Sequence, residues 1–230
     1  MKISIVIPCY NESKTINNVY EKVSNFKNLE KEIIIIDDCS TDGSRKIIEK
    51  IAESDPNVKV IFKDKNQGKG SALKEGFKLA EGDLVIIQDA DMEYDPSDYD
   101  KLLKPFFETD ADVVYGSRFI GGEYVRLHFF WHYLANKILT ILTNIITNLN
   151  MTDMETGYKV FKTSILKPLK LKENSFGIEP ELTIKLAKKG FTFYEVPISY
   201  KGRSYQDGKK ITFKDAMIAV FCIIKYRFFD

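Results

Sequence analysis

Short runs of isoleucine, valine and leucine alternate along the first half of the chain with polar turns and longer mixed segments. Residues 3–7 and 32–36 are dominated by isoleucine, which suits strands buried on both faces of a parallel sheet. Residues 58–62, 83–88 and 113–115 continue the series. Between the runs, Asn11-Glu12-Ser13 supplies capping groups for a helix reaching about Phe26, and Ser40-Thr41-Asp42 does so for one reaching about Ala52. Gly68-Lys69-Gly70-Ser71 opens a third helix toward Ala80. Strands and helices alternating at this spacing predict a parallel α/β sheet with right-handed crossovers.

The pattern changes after residue 120. Residues 129–149 are apolar with one charge, Lys137, but Asn136, Asn144, Asn148 and several threonines argue against insertion into a bilayer. Leu134, Ile138, Ile141, Leu142, Ile145 and Leu149 follow helical spacing, which predicts an amphipathic helix that packs on the sheet or lies on a membrane. A loop then strand follows over 153–161, a helix over 179–189 closed by Gly190, and a strand over 192–197. In the tail, 212–229, Met217, Val220, Phe221, Ile224 and Phe228 share a stripe with Lys214, Lys225 and Arg227 nearby. Such a helix suits a bilayer interface, docking on the core, or contact between subunits.

Composition adds charge asymmetry and a compartment. The 230 residues, 44% hydrophobic and 29% charged, suit one globular domain rather than a disordered chain. Residues 1–120 carry 17 Lys and Arg against 23 Asp and Glu, whereas residues 121–230 carry 17 against 10. The basic half suits phosphates or a membrane surface. Three cysteines without a C-x-x-C pair exclude a disulfide framework, and the chain starts directly on a strand-like run, so a cytoplasmic protein without a secretory signal is expected. His128 and His132 lack the Glu of a zincin motif. A nucleic-acid partner is not expected.

The candidate chemistry sits where the strands end. Asp89 and Asp91 follow an apolar strand and are one residue apart, so in extended backbone they point the same way, with Glu93 able to follow. Hard oxygen ligands there suit Mg²⁺ or Mn²⁺ together with a substrate phosphate. Tyr10 and Glu12, Asp37 and Asp38, and Gln67 to Lys69 also follow strands, and ligands of parallel α/β sheets bind at the carboxyl ends of strands. A nucleotide site is therefore expected. The glycines of a P-loop and of a dinucleotide fold are both missing.

Pro8-Cys9-Tyr10-Asn11-Glu12, Asp37-Asp38-Cys39-Ser40-Thr41-Asp42-Gly43 and Gln88-Asp89-Ala90-Asp91, at these spacings, resemble family 2 glycosyltransferases. Gly116-Ser117-Arg118-Phe119, Asp153-Met154-Glu155-Thr156-Gly157-Tyr158-Lys159, and Arg203 with Lys209 look like the polyprenyl-phosphate branch, typified by dolichol-phosphate mannose synthase. The resemblance implies a GT-A fold, Rossmann-like and mostly parallel, over one domain spanning 1–230. Residues 1–120 would form the nucleotide-sugar half and 121–230 the acceptor and membrane-facing half. It further implies that Pro8, Tyr10, Glu12 and Asp38, with Lys69 close by, line the donor pocket, and that Asp89, Asp91 and Glu93 hold the divalent ion. Arg118, Arg203 and Lys209 would neutralise the donor diphosphate or the acceptor phosphate.

The activity implied is inverting transfer of a hexose from a GDP-mannose or UDP-glucose type of donor to a polyprenyl phosphate, at the cytosolic face of a membrane. A lipid phosphate arrives already anionic. A glycan hydroxyl, the alternative acceptor, needs a carboxylate to take its proton, for which Asp153, Glu179 and Glu181 are the candidates, each equally suited to capping or ion pairing. A nucleotide-sugar-binding module without catalysis is the remaining alternative. The chain ends in amphipathic segments where members of this branch often have membrane spans, and Glu93 stands where the mannose synthases commonly have Gln.

Overall fold

The computed structural model describes residues 1–121, 129–202 and 213–230. Arg203, Lys209 and His128 lie outside the described residues. The apolar runs form strands β1 (Lys2–Cys9), β2 (Glu30–Asp37), β3 (Val58–Phe62), β4 (Leu84–Ile87), β5 (Val113–Ser117), β6 (Lys159–Lys162) and β7 (Phe193–Pro197). They hydrogen-bond into one sheet in the order β3-β2-β1-β4-β6-β5-β7.

Alternation of side chains gives the sheet two apolar faces. Ile3, Ile5, Ile7, Ile33 and Ile35 point to one, Val6, Ile34, Ile36, Val85 and Ile87 to the other, and all are buried. Each such side chain contributes about 2 kcal/mol on burial, so a slip of one residue that exchanges the faces is strongly disfavoured. The odd-numbered face is covered by α1 (Ile16–Asn25), α2 (Ser44–Ser54) and α4 (Tyr99–Glu108). Helices α3 (Lys69–Leu79), α5 (Phe130–Thr147), α7 (Ile178–Lys188) and α8 (Phe213–Phe228), with the single turn α6 (Thr163–Leu166), cover the other.

Three features differ from the sequence reading or were not visible to it. First, β6 runs antiparallel to both neighbours, pairing Leu84 with Lys162 and Val113 with Phe161, so the sheet is mostly parallel as the resemblance implied, with the departing strand not visible in the pattern. The chain enters β6 from the carboxyl edge, and residues 151–158 therefore lie along that edge. Second, α4 is not announced by the hydrophobic pattern, because Pro96 and Pro105 interrupt it; a short 3-10 turn, Pro96–Asp98, starts it, with the Asp95 carboxylate accepting the Ser97 amide at 3.1 Å.

Third, α5 buries Asn136, Leu139, Thr140 and Thr143, while Ile138, Ile141 and Ile145 of the predicted apolar stripe are 56%, 55% and 75% exposed. The buried polar groups are satisfied: Asn136 donates to Asp153 at 2.9 Å, and Thr140 Oγ1 accepts the Met154 amide at 3.1 Å. Polar residues can face the interior here because they tie down the loop that follows. Helix α8 packs against α7 and α5, and leaves Met217, Phe221 and Phe228 exposed. No helix among the described residues is long and apolar enough to cross a membrane.

Candidate active site

A cavity of about 910 Å³ opens at the carboxyl ends of β1, β2 and β4 and is bounded on its far side by α5 and α8. Pro8, Tyr10, Glu12, Asp38, Lys69, Asp89, Asp91, Glu93 and Arg118 all line it, as does Glu179, while Asp153 and Glu181 are not among the lining residues. Gln67 instead lines a smaller hollow with Lys63 and Lys65, and Asp37 is turned to Arg45 at 3.0 Å. The strand ends are sharply turned: Asn11, Cys39 and Met92, just beyond β1, β2 and β4, have φ of 55°, 65° and 62°. Left-handed backbone at a residue other than glycine is strained, and it clusters here at the cavity rim.

Asp89 is held by a lysine. The Lys69 ammonium lies 2.8 Å from Asp89 Oδ1 and 3.1 Å from Oδ2, and 3.2 Å from Glu179 Oε1. Burial works against its charge, but Asp89 and Glu179 outweigh that and hold its pKa above the ordinary lysine value. Gly157 backs onto Asp89 so closely that any Cβ there would collide with Oδ2. Lys69 is placed by Gly68, which has φ of 92° and packs where a Cβ would come within 2.6 Å of the Asn174 carbonyl oxygen. The Gly68 amide in turn donates to Asp38 Oδ2 at 2.7 Å.

Asp38 lines the cavity, yet both its oxygens are already occupied by Lys63 at 2.5 Å and by the Gln67 and Gly68 amides. Arg118 is paired bidentately with Asp153, both contacts at 2.7 Å, and its guanidinium lies 5.0 Å from the centre of the Tyr200 ring. Burial alone would raise the Asp153 pKa, but Arg118 beside it holds the carboxyl below the ordinary aspartate value. Asp153 is thus a fixed anion and a poor proton acceptor. Glu181 is equally committed, to the Lys172 and Glu173 amides and to Lys185 at 2.8 Å. Glu179 pairs with Lys159 and Lys69.

The carboxylates expected to hold a metal divide. Among the described residues no three His, Cys, Asp or Glu side chains converge as a metal group, so Asp89, Asp91 and Glu93 do not form a ready three-carboxylate chelate. Glu93 is engaged by Tyr200, whose hydroxyl donates to Oε2 at 2.6 Å. Asp89 and Asp91 remain as hard oxygen donors on one rim, a set that fits Mg²⁺ or Mn²⁺ when substrate phosphates complete the coordination.

Sequence reasoning gave no role to Tyr94, Tyr200, Asn136 or Glu155, all of which line the cavity. Tyr94 Oη accepts the Gly157 amide at 2.7 Å, and its ring stacks between those of Tyr158 and Tyr200. Glu155 lies within the motif that starts at Asp153, the one signal that could have found it. Burial first, and then the charge of Glu179, pushes its carboxyl up to about 7.

Residues 4–169 match the model of Glycosyl transferase family 2. The chain belongs to this family. It is 29% identical over 218 residues to a dolichol-phosphate mannosyltransferase of Pyrococcus furiosus, covering 92% of this chain and 61% of that one. It is 28% identical to an undecaprenyl-phosphate mannosyltransferase of Micrococcus luteus, covering 91% and 87% of the two chains. The chain thus spans under two thirds of the Pyrococcus enzyme. Among solved structures, glucosyl-3-phosphoglycerate synthase of Mycobacterium tuberculosis with Mn²⁺, UDP and phosphoglyceric acid superposes with a TM-score of 0.76 at 19% identity, over 100% of this chain and 79% of that one. This family 2 chain therefore has the GT-A fold of its neighbours: a mostly parallel sheet flanked by helices.

Proposed function

We propose that this family 2 glycosyltransferase moves a hexose, with inversion, from a nucleoside diphosphate sugar to a polyprenyl phosphate. The observation that carries this reading is the joining of two environments in one cavity. Carboxylates and cations gather at the strand ends, and the opposite wall is formed by α5 and α8, whose outer faces are apolar and exposed. The relatives named for polyprenyl-phosphate transfer support the acceptor class.

Base and ribose would lie against Pro8, Tyr10, Glu12 and the Asp38 loop, and the diphosphate beside Lys69, Asp89, Asp91 and Arg118. Arg203 and Lys209 are proposed to add positive charge at the same phosphates. Asp89 and Asp91 would hold a divalent cation, which when bound offsets the negative charge of the departing nucleoside diphosphate. Lys69 neutralises Asp89 in its absence, and on donor binding its ammonium is free to turn to the phosphates. Arg118 is oriented by Asp153 and presents its remaining edge to the cavity.

The acceptor question turns on proton acceptors. Asp153, Glu179 and Glu181 are each committed to cations or amides, so none of these three is poised to deprotonate a hydroxyl, and Glu155, raised to about 7, is the cavity carboxyl whose variants test that role. An anionic phosphate oxygen needs no such base, and it attacks the anomeric carbon on the face opposite the leaving diphosphate, which inverts the configuration. The apolar faces of α5 and α8 would rest on the bilayer that carries the acceptor, giving peripheral attachment. Incubation with GDP- and UDP-hexoses, Mn²⁺ and a short-chain polyprenyl phosphate is expected to yield a glycosylated lipid of inverted configuration. Transfer to a glycan hydroxyl but not to the lipid phosphate would replace this reading, and donor binding without transfer to either would reduce it to a binding module.

A further inference from the structure

The loop between α5 and β6 is tied down residue by residue. Asp153 is held by Arg118 and Asn136, the Met154 amide donates to Thr140 at 3.1 Å, the Thr156 hydroxyl donates to the Gly116 carbonyl at 2.6 Å, and the Gly157 amide donates to Tyr94 at 2.7 Å. Glu155, in the middle, is different. It lines the cavity, yet its Oε1 is buried with no hydrogen-bond partner. A buried acceptor left unsatisfied costs stability in the free protein, and the side chain that carries it borders a cavity where a ligand can supply a donor once the carboxyl turns toward it.

The chemistry of the missing partner follows from charge. Phosphates suit the cations Lys69 and Arg118, whereas a carboxylate beside Glu179 repels an anion and suits a hydroxyl. Position narrows the choice. Gly157, two residues on, lies against Asp89, so this loop passes beside the proposed diphosphate site. The donor's ribose would lie toward Tyr10 and Glu12, which leaves the hydroxyls of the hexose joined to the diphosphate. We propose that Glu155 reads the transferred hexose, its carboxyl turning into the cavity to accept a hydrogen bond from one of the sugar hydroxyls. This assignment rests on the transferase reading of the cavity.

Calorimetric titration of wild type, Glu155→Gln and Glu155→Ala with UDP, GDP and their hexose conjugates tests it. The nucleoside diphosphate that binds wild type is expected to bind both variants within about twofold, while its hexose conjugate binds Glu155→Ala about tenfold more weakly, the size of one hydrogen bond. Against one deoxy-hexose conjugate the difference between wild type and variant should vanish, which identifies the hydroxyl. Both variants should melt at or above the wild-type temperature, because they remove an unsatisfied buried carboxyl. Parallel loss of both ligands with a lower melting temperature would make Glu155 a structural tie and overturn the assignment. Unchanged conjugate affinity with turnover abolished would make it a proton acceptor instead, and equally overturn it. Wild type that binds no conjugate would overturn the transferase reading and this assignment together, whereas wild type that transfers sugar with no selective change in the variants would overturn this assignment alone.

Discussion

Carboxylates at the cavity differ in what already holds them, and each difference yields a measurable consequence. Asp153 is fully buried and holds Arg118 through two hydrogen bonds. Replacing it with Ala strands a buried guanidinium, so Asp153→Ala is expected to lose about 3–5 kcal/mol of stability in urea denaturation. Asp91 has its Oδ1 accepting the Glu93 amide at 3.1 Å and lies on the rim proposed for the cation. In Asp91→Ala the nucleoside diphosphate is expected to bind with the same affinity with and without Mn²⁺; a Mn²⁺-dependent gain equal to that of wild type would remove Asp91 from the metal site. Glu155 is expected to show its burial through pH. Its folded carboxyl is raised from 4.5 to about 7, so the folded state favours the neutral form. The stability this gives is fully present below about pH 4.5 and is lost as pH rises through 7. Glu179 and Asp153 add to the rise, while Lys159 and Arg118 oppose it. Denaturation midpoints of wild type and Glu155→Gln should therefore converge toward acid pH and separate toward neutral pH in favour of the variant. Asp89, Asp91 and Lys69 were legible in the sequence because strand ends converge by topology alone. Glu155 was not, because its distinction is a missing partner, and that is set by how the chain folds around it.

Elements show the same division between what local pattern dictates and what packing decides. The strands were legible because isoleucine runs admit few alternatives, and the helix after Gly68 because glycine there has a backbone reason. Gly68→Ala would place a Cβ in left-handed backbone and against the Asn174 carbonyl. A loss of at least about 1 kcal/mol is expected from the backbone alone, together with weaker nucleotide binding as Lys69 shifts. Helix α5 was legible as a helix but its orientation was not. Asn136, Thr140 and Asn144 turn inward because residues 151–154 offer them hydrogen-bond partners, and the isoleucines turn outward as a result. The antiparallel direction of β6 was equally hidden, since Lys159–Lys162 reads alike in either direction.

For the molecule as a whole, the two halves of the chain differ in net charge and both border one cavity, whose lining cations, Lys69 and Arg118, come from the first half. The half rich in Asp and Glu contributes Asp89 and Asp91, where a cation is proposed to bind, and the half with 17 basic against 10 acidic residues contributes α5 and α8. An anionic bilayer surface would attract the second half and repel the first, orienting the proposed membrane-facing side before any apolar contact forms. Two forces would then hold the protein there, and they can be separated. Charge attraction is screened within about 8 Å at physiological salt, whereas burial of Ile138, Ile141 and Ile145 is not. Wild type is therefore expected to sediment with anionic vesicles at low salt and to do so less as salt rises, with a residue of binding that salt does not remove. Replacing the three isoleucines with Ser should abolish that residue while changing folding stability by no more than about 0.5 kcal/mol per site, because none of the three is buried. If the triple variant sediments like wild type, the exposed face does not meet the membrane; if wild type forms dimers that the triple variant cannot, the face belongs to a second copy of this chain instead.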